Sequence, residues 1–340
     1  MAVYIIIGFV ILVFSFSRKN SLLVEYLILL FLFLLCALRT VNVGTDTYEY
    51  QAHYWYYAYD LKVETFFWYP LKLLRDARMS YQYGMAIQAF VILLFLHLSI
   101  RKGSFAPMLS LFLFYFLSYY ANYSYNIVRQ GMASMIALYG VINYEQQKKW
   151  WKFLLVIIIA FQFHLTAIVL AFYYIIDYFS ITKSRKKYIT TILIISFLVP
   201  LFYDLTNIVA NSLGGIDLMS KYLSYSDTDH LKDSSFSVGR LLLNILYIFI
   251  LYTGSIKNCN TIYFKAIIFG IIILNLSGSF VVLGRTAYYF LICQIIYLPL
   301  FMRERIFNSL VIYTYAIFIF LFNTIVVNYG GIAPYSSIID

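Results

Sequence analysis

Arginine is rare inside apolar sequence, and this chain places four there. Arg39 closes the run SLLVEYLILLFLFLLCAL, Arg129 stands early in NIVRQGMASMIAL, Arg240 opens VGRLLLNILYIF, and Arg285 lies between VVLG and TAYYFLICQ. An ionisable group at membrane depth is costly and marks a functional position by default. The guanidinium fork binds oxyanions bidentately and keeps its charge when partly desolvated, so four such groups point to phosphate, and a lipid-linked diphosphate is the ligand they suit. The bland alternative is snorkelling to headgroup phosphates, which leaves unexplained the apolar neighbours on both sides of Arg129 and Arg285.

Two further residues offer proton chemistry. His164, in AFQFHLTAIV, lies within a long apolar run and titrates in the physiological range. Asp46 sits in NVGTDTYEY, where Gly44 permits a tight turn and Thr45 and Thr47 can bond local backbone. Either is a candidate general base; Asp46 can equally be a sugar-hydroxyl ligand or a turn residue paired with Arg39.

The elements that hold these residues are set by composition. Of 340 residues, 63% are hydrophobic and 12% charged, far from the balance of a soluble domain. The reading is an all-α polytopic transmembrane bundle, one integral-membrane domain over residues 1–340. Apolar runs near spanning length fall at 2–17, 22–38, 80–100, 104–121, 126–143, 150–163, 165–180, 188–203, 238–256, 262–282, 286–302 and 306–327, about twelve crossings. The net charge of +10 is explained by positive-inside loops rather than by nucleic acid. Assigning Arg18/Lys19, Arg101/Lys102, Lys148/Lys149/Lys152, Lys183/Arg185/Lys186/Lys187, Lys257/Lys265 and Arg303/Arg305 to the cytoplasm puts both termini outside, with the first helix retained. All four arginines then fall at outer helix ends.

Residues 153–182 are too long for one span and short for two, so a hairpin of short helices turning near Phe163-His164-Leu165 is expected. Two outer loops are long. Residues 39–79 interleave aromatics with charges and suit an amphipathic stretch in the outer interface, whereas residues 204–237 are mostly polar and read as a lid or mobile loop. Asp227-Thr228-Asp229 in that loop reads as a solvated run rather than a metal pair. Cys36, Cys259 and Cys293 show no zinc, redox or disulfide spacing, and no phosphate-loop, HExxH or GxSxG signature occurs.

Taken together, Arg39…Gly44-Thr45-Asp46…Tyr50, the Arg129-Gln130 helix with small residues after it, the Phe163-His164 hairpin, Arg285…Tyr288-Tyr289-Phe290 and the Pro334-Tyr335 tail resemble the EpsG/Wzy-type polysaccharide polymerases of bacteria. The resemblance implies a GT-C-like plasma-membrane glycosyltransferase. Such an enzyme joins undecaprenyl-diphosphate-linked oligosaccharide units, as donor and acceptor, on the outer face to make O-antigen, capsule or exopolysaccharide. It implies no cofactor and no metal, and a chain-length regulator as a further partner. Arg129, Arg285 and His164 match the arginine-histidine pattern of the related O-antigen ligases, while Arg240, Arg39 and Asp46 rest on this chain's topology and its Gly-Thr-Asp element. Tyr50, Tyr288 and Tyr335 are the candidate sugar contacts. The rival reading, a flippase or transporter of lipid-linked oligosaccharide, needs the same arginines but calls for internal repeats, and none is evident.

Overall fold

The computed structural model describes residues 1–16, 21–56, 63–202, 237–278 and 281–339. The polar loop at 204–237, with Asp227, Asp229 and His230, lies outside the described residues apart from Ser237. Among the described residues the chain is helical and forms no strand, only one isolated bridge between Arg39 and Ser337. In chain order the helices are α1 (Ala2–Ser15), α2 (Leu22–Ala37), α3 (Thr47–Tyr56), α4 (Thr65–Asp76), α5 (Tyr81–Gly103), α6 (Pro107–Phe116) and α7 (Tyr119–Ala121). There follow α8 (Val128–Gln147), α9 (Trp150–Phe161), α10 (Phe172–Tyr178), α11 (Arg185–Phe202), α12 (Val238–Thr253), α13 (Ile256–Cys259), α14 (Ile262–Leu276), α15 (Val281–Leu291), α16 (Gln294–Met302) and α17 (Ile306–Leu321).

Each of the twelve apolar runs carries helix. Among the described residues, two helices, Tyr81–Gly103 and Ile306–Val326, are long and apolar enough to cross a membrane, three if Leu283–Leu291 and Gln294–Met302 count as one broken span; seven further apolar helices have 10–17 residues. Polar residues set the starts: Ser21, Ser80, Ser255 and Thr261 accept a hydrogen bond from a backbone N–H two or three residues on, and Pro107 opens α6. Exposed Phe9, Leu23, Leu27, Leu30 and Ile158 give α1, α2 and α9 apolar outer surfaces suited to lipid.

The chain forms two compact units. The first comprises residues 1–171 and 295–340. In it α5 packs on α8 and α2, α8 on α9, and α1 on α6. Glu25 is fully buried on α2 and faces α5, where His97 Nδ1 lies 2.6 Å from its Oε1 and Arg101 pairs with Oε2. Burial of a carboxyl group this deep requires polar partners, and these two side chains meet both of its oxygens.

The C-terminal tail closes this unit as a strap over the segment that follows α2. Thr40 N donates to Ser336 O, Gly44 N to Gly331 O, Thr45 N to Gly330 O and Ile338 N to Leu38 O, all at 2.9–3.1 Å. Tyr335 Oη donates to Leu35 O and Tyr4 Oη to Ile332 O. The glycines are needed here: Gly44 has φ +95°, and a Cβ on it would stand 2.7 Å from Tyr125 O.

The second unit spans residues 172–294. Helix α14 packs on α15 and α11. Asn244 and Asn275 exchange side-chain amide hydrogen bonds at 2.9 and 3.0 Å, and Asn275 also donates to Ser196 Oγ, so the polar groups buried among α11, α12 and α14 satisfy one another. Lys265 Nζ reaches Asp177 O, and Asn260 holds Ile181 through both backbone groups.

Candidate active site

The site is built from three segments of the first unit. Ahead of α8 the chain winds as a π-helix over Asn122–Asn126, then breaks at Ile127, so that α8 restarts at Val128 with Arg129 in its first turn. Such π segments recur at functional sites because they re-aim the residues that follow. Gly131 makes this possible: a Cβ there would lie 2.6 to 2.9 Å from the Cβ, O and Cα of Tyr123, so only glycine lets α8 press against the π-helix backbone.

The second segment is the hairpin. Helix α9 ends at Phe161, and the backbone turns through Phe163 and His164 into a 3-10 helix, Leu165–Ala171, that packs back against α9. The expected turn at 163–165 is present. His164 N caps α9 by donating to Ala160 O at 3.0 Å, which leaves the imidazole projecting at the tip.

The third segment precedes α4, and its key residue, Glu64, is absent from the sequence reading. Glu64 adopts a left-handed backbone, φ 52°, which an ordinary side chain takes only where its surroundings enforce it. Phe66 N is held by Gln162 O, tying α4 to the hairpin.

These segments meet at the Glu64 carboxylate. Its Oε2 accepts from Arg129 Nη1 at 2.5 Å. Its Oε1 lies 2.7 Å from His164 Nδ1 and accepts from Leu165 N at 3.1 Å. Glu64 is 4% exposed and His164 15%, whereas Arg129 is 34% exposed. The cation is therefore the member that reaches outward. Its Nε donates to Tyr50 Oη at 3.5 Å, and the guanidinium carbon lies 5.8 Å from the Tyr50 ring centre and 5.6 Å from that of Trp68. An aromatic collar thus holds the planar group in place.

The electrostatics follow from these contacts. Burial alone would raise the pKa of Glu64, but the His164 hydrogen bond, the Arg129 charge and the Leu165 N–H outweigh it and hold the pKa at about 2. Glu64 is a permanent anion near neutral pH. A carboxylate on Nδ1 selects the tautomer with a proton there and the lone pair on Nε2, so His164 is arranged to take a proton at Nε2.

The other sequence candidates are placed differently. Arg39 is 1% exposed: Nη1 donates to Cys36 O and Sγ at 2.7 Å, Nη2 to Thr47 Oγ1 at 3.5 Å, and the guanidinium stacks 4.7 Å over the Tyr125 ring. It knits α2, the Gly-Thr-Asp turn and the π-helix together, and it does not pair with Asp46, whose carboxylate accepts instead from Thr45 Oγ1. Thr45 in turn binds Asn126 through both N and Oγ1, so this turn braces the π-helix ahead of Arg129. Tyr50 supports Arg129, and Tyr335 belongs to the strap. Arg240 and Arg285 lie in the second unit. Arg240, near the start of α12, donates from Nη1 to Gly278 O at 2.9 Å; Arg285 is exposed on α15, with Tyr288 half-buried one turn on.

Sequence reasoning missed Glu64 because it is one of several charges in an aromatic stretch, and nothing local links it to a histidine 100 positions away. The available signal was a single acidic residue just ahead of the amphipathic TFFWYPLKLL run. Comparison with curated proteins and with solved structures gives no match. The model described as EpsG family matches residues 22–337, nearly the whole chain and all three segments of this cluster, so the chain belongs to the EpsG family.

Proposed function

We propose that this protein is a polysaccharide polymerase that joins undecaprenyl-diphosphate-linked oligosaccharide repeat units on the outer face of a bacterial plasma membrane. The observation that carries the reading is the Arg129–Glu64–His164 cluster: an outward-reaching, aromatic-collared cation beside a histidine set to accept a proton. Family membership and the apolar helices agree with a membrane-embedded polymerase. The finer topology, about twelve crossings with both termini outside, belongs to this proposal, with the shorter helices crossing as tilted or paired segments.

The reaction is a displacement at the anomeric carbon. The acceptor hydroxyl oxygen bonds to that carbon as the carbon–oxygen bond to the diphosphate breaks, and the electron pair leaves on undecaprenyl diphosphate. The hydroxyl proton passes to His164 Nε2. Arg129 meets the negative charge that develops on the leaving diphosphate, and one positioned donor of this kind contributes about two to three orders of magnitude in turnover. Of the two bases the sequence left open, His164 is favoured, because Asp46 has its carboxylate on Thr45 and its turn on the π-helix. A single displacement inverts the anomeric configuration.

Purified protein in lipid nanodiscs with a lipid-linked repeat unit tests this directly. A ladder of lengthened products is expected, with Arg129→Ala and His164→Ala each lowering its formation about a hundredfold while the protein stays folded. Intact lipid moved to the other leaflet, with no ladder, would instead establish the flippase. The Arg240→Ala and Arg285→Ala variants in the same assay test those residues as phosphate contacts.

A further inference from the structure

The two oxygens of Glu64 serve different partners. Oε1 is anchored to the hairpin by His164 Nδ1 and by the Leu165 N–H, a backbone contact that no ligand displaces, whereas Oε2 meets a single nitrogen of Arg129. Arginine carries five donors, and an oxyanion takes two of them along one edge of the fork. Arg129 spends one on Glu64 and one on Tyr50, and it is the exposed member of the cluster while Glu64 is enclosed. A diphosphate arriving from outside therefore meets the guanidinium first and competes with a carboxylate for the same positive charge.

We propose that Glu64 is a positioning residue shared between Arg129 and His164, and that a donor diphosphate drawing Arg129 toward itself leaves the Glu64 charge to His164, priming the imidazole to accept the acceptor's proton only when a donor is bound. This rests on the polymerase reading above. Its physical basis is that an anion neutralised by a near cation acts weakly on a third group, and acts more strongly once that cation is engaged elsewhere. Among the described residues, Glu64 ahead of α4 meets the histidine directly, Arg129 on α8 meets the same carboxylate, and Tyr50 on α3 meets Arg129. From α9 the buried faces are the apolar Phe153, Ile157 and Ala160. The arrangement would keep the base weak in the absence of donor, which limits adventitious hydrolysis of the donor's activated sugar by water.

The test is a histidine-resolved NMR titration of the full-length protein in nanodiscs, with the His164 signal assigned by loss in His164→Asn and undecaprenyl diphosphate as the probe. In the wild type the His164 midpoint should rise by roughly half a pH unit or more when the probe binds. In Arg129→Ala, where Glu64 has lost its cation, the midpoint should already be raised without the probe and should move no further. In Glu64→Gln the midpoint should lie below the wild type, and the probe should move it less; Glu64→Asp should restore part of the response. An Arg129→Ala midpoint equal to that of the wild type, or a Glu64→Gln response as large as the wild type's, overturns the proposal. If the product ladder forms normally and His164 fails to respond, the shared-anion role falls and the polymerase reading stands; if no ladder forms, the polymerase reading falls.

Discussion

At the scale of single residues, the cluster depends on a carboxylate that stays ionised. Glu64 titrates at about 2 in the folded protein against 4.5 for the unperturbed group. Between those values the unfolded chain binds the extra proton, so the contribution of Glu64 to stability is complete above pH 4.5 and is lost as pH falls toward 2. At about 1.4 kcal/mol per pH unit this is on the order of 3 kcal/mol. Thermal unfolding in detergent should show wild type and Glu64→Gln converging as pH falls from 4.5 toward 2, with the wild type more stable at pH 7. Parallel curves across that range would mean that the carboxylate is not held by Arg129 and His164 in solution. The same constant makes Glu64 a poor proton acceptor near neutrality, so an activity profile with a limb between pH 5 and 8 belongs to His164.

At the scale of elements, the π-helix at Asn122–Asn126 is the device that aims Arg129. It is braced on three sides: by Gly131 of α8, by Thr45 on Asn126, and by Thr47 Oγ1, which donates to Tyr125 O at 3.2 Å. Gly131→Ala sets a methyl against backbone atoms that have nowhere to retreat. Overpacking of this kind costs about 1–3 kcal/mol. Because the strain falls two residues from Arg129, polymer formation should drop more than expression does, whereas an alanine at Gly239, where among the described residues a Cβ meets no atom closer than 3.6 Å, should be silent by both measures. Loss of stability with full activity in Gly131→Ala would separate the π-helix from the site. Within the segment read from sequence as amphipathic, α4 buries Phe67 and Leu71 and exposes Phe66, Tyr69 and Leu73, while Trp68 collars Arg129.

At the scale of the whole chain, the last residues hold the first unit closed although they lie some 290 positions from the segment they cover. The strap contributes at least four backbone hydrogen bonds and the Tyr335 and Tyr4 hydroxyl contacts, each worth about 1 kcal/mol net. A chain ending at Val327 should therefore lose several degrees of thermal stability and most polymer formation, because the Gly-Thr-Asp turn under the strap braces the π-helix and hence Arg129. Adding back residues 328–340 as a fused tail should restore both. If the shortened chain keeps full activity, the strap is not coupled to the site.

What the sequence determined by itself is what local physics encodes. Apolar runs bounded by charges and capping residues placed most of the helices, though not α3 and α4, the 150–180 stretch declared its turn at His164, and Arg129 stood out because an arginine flanked by Ile127, Val128 and Met132 has no local reason to be there. The tertiary structure decided the partners. Arg39 and Arg129 look alike in sequence, yet one is enclosed by Cys36, Thr47 and Tyr125 while the other reaches outward from Glu64. The difference lies in which chain segments pack beside each. Ion pairing across 65 and 100 residues leaves no periodicity to read, and only the fold, by bringing the segment before α4 against the hairpin tip and the start of α8, makes Glu64, His164 and Arg129 one site.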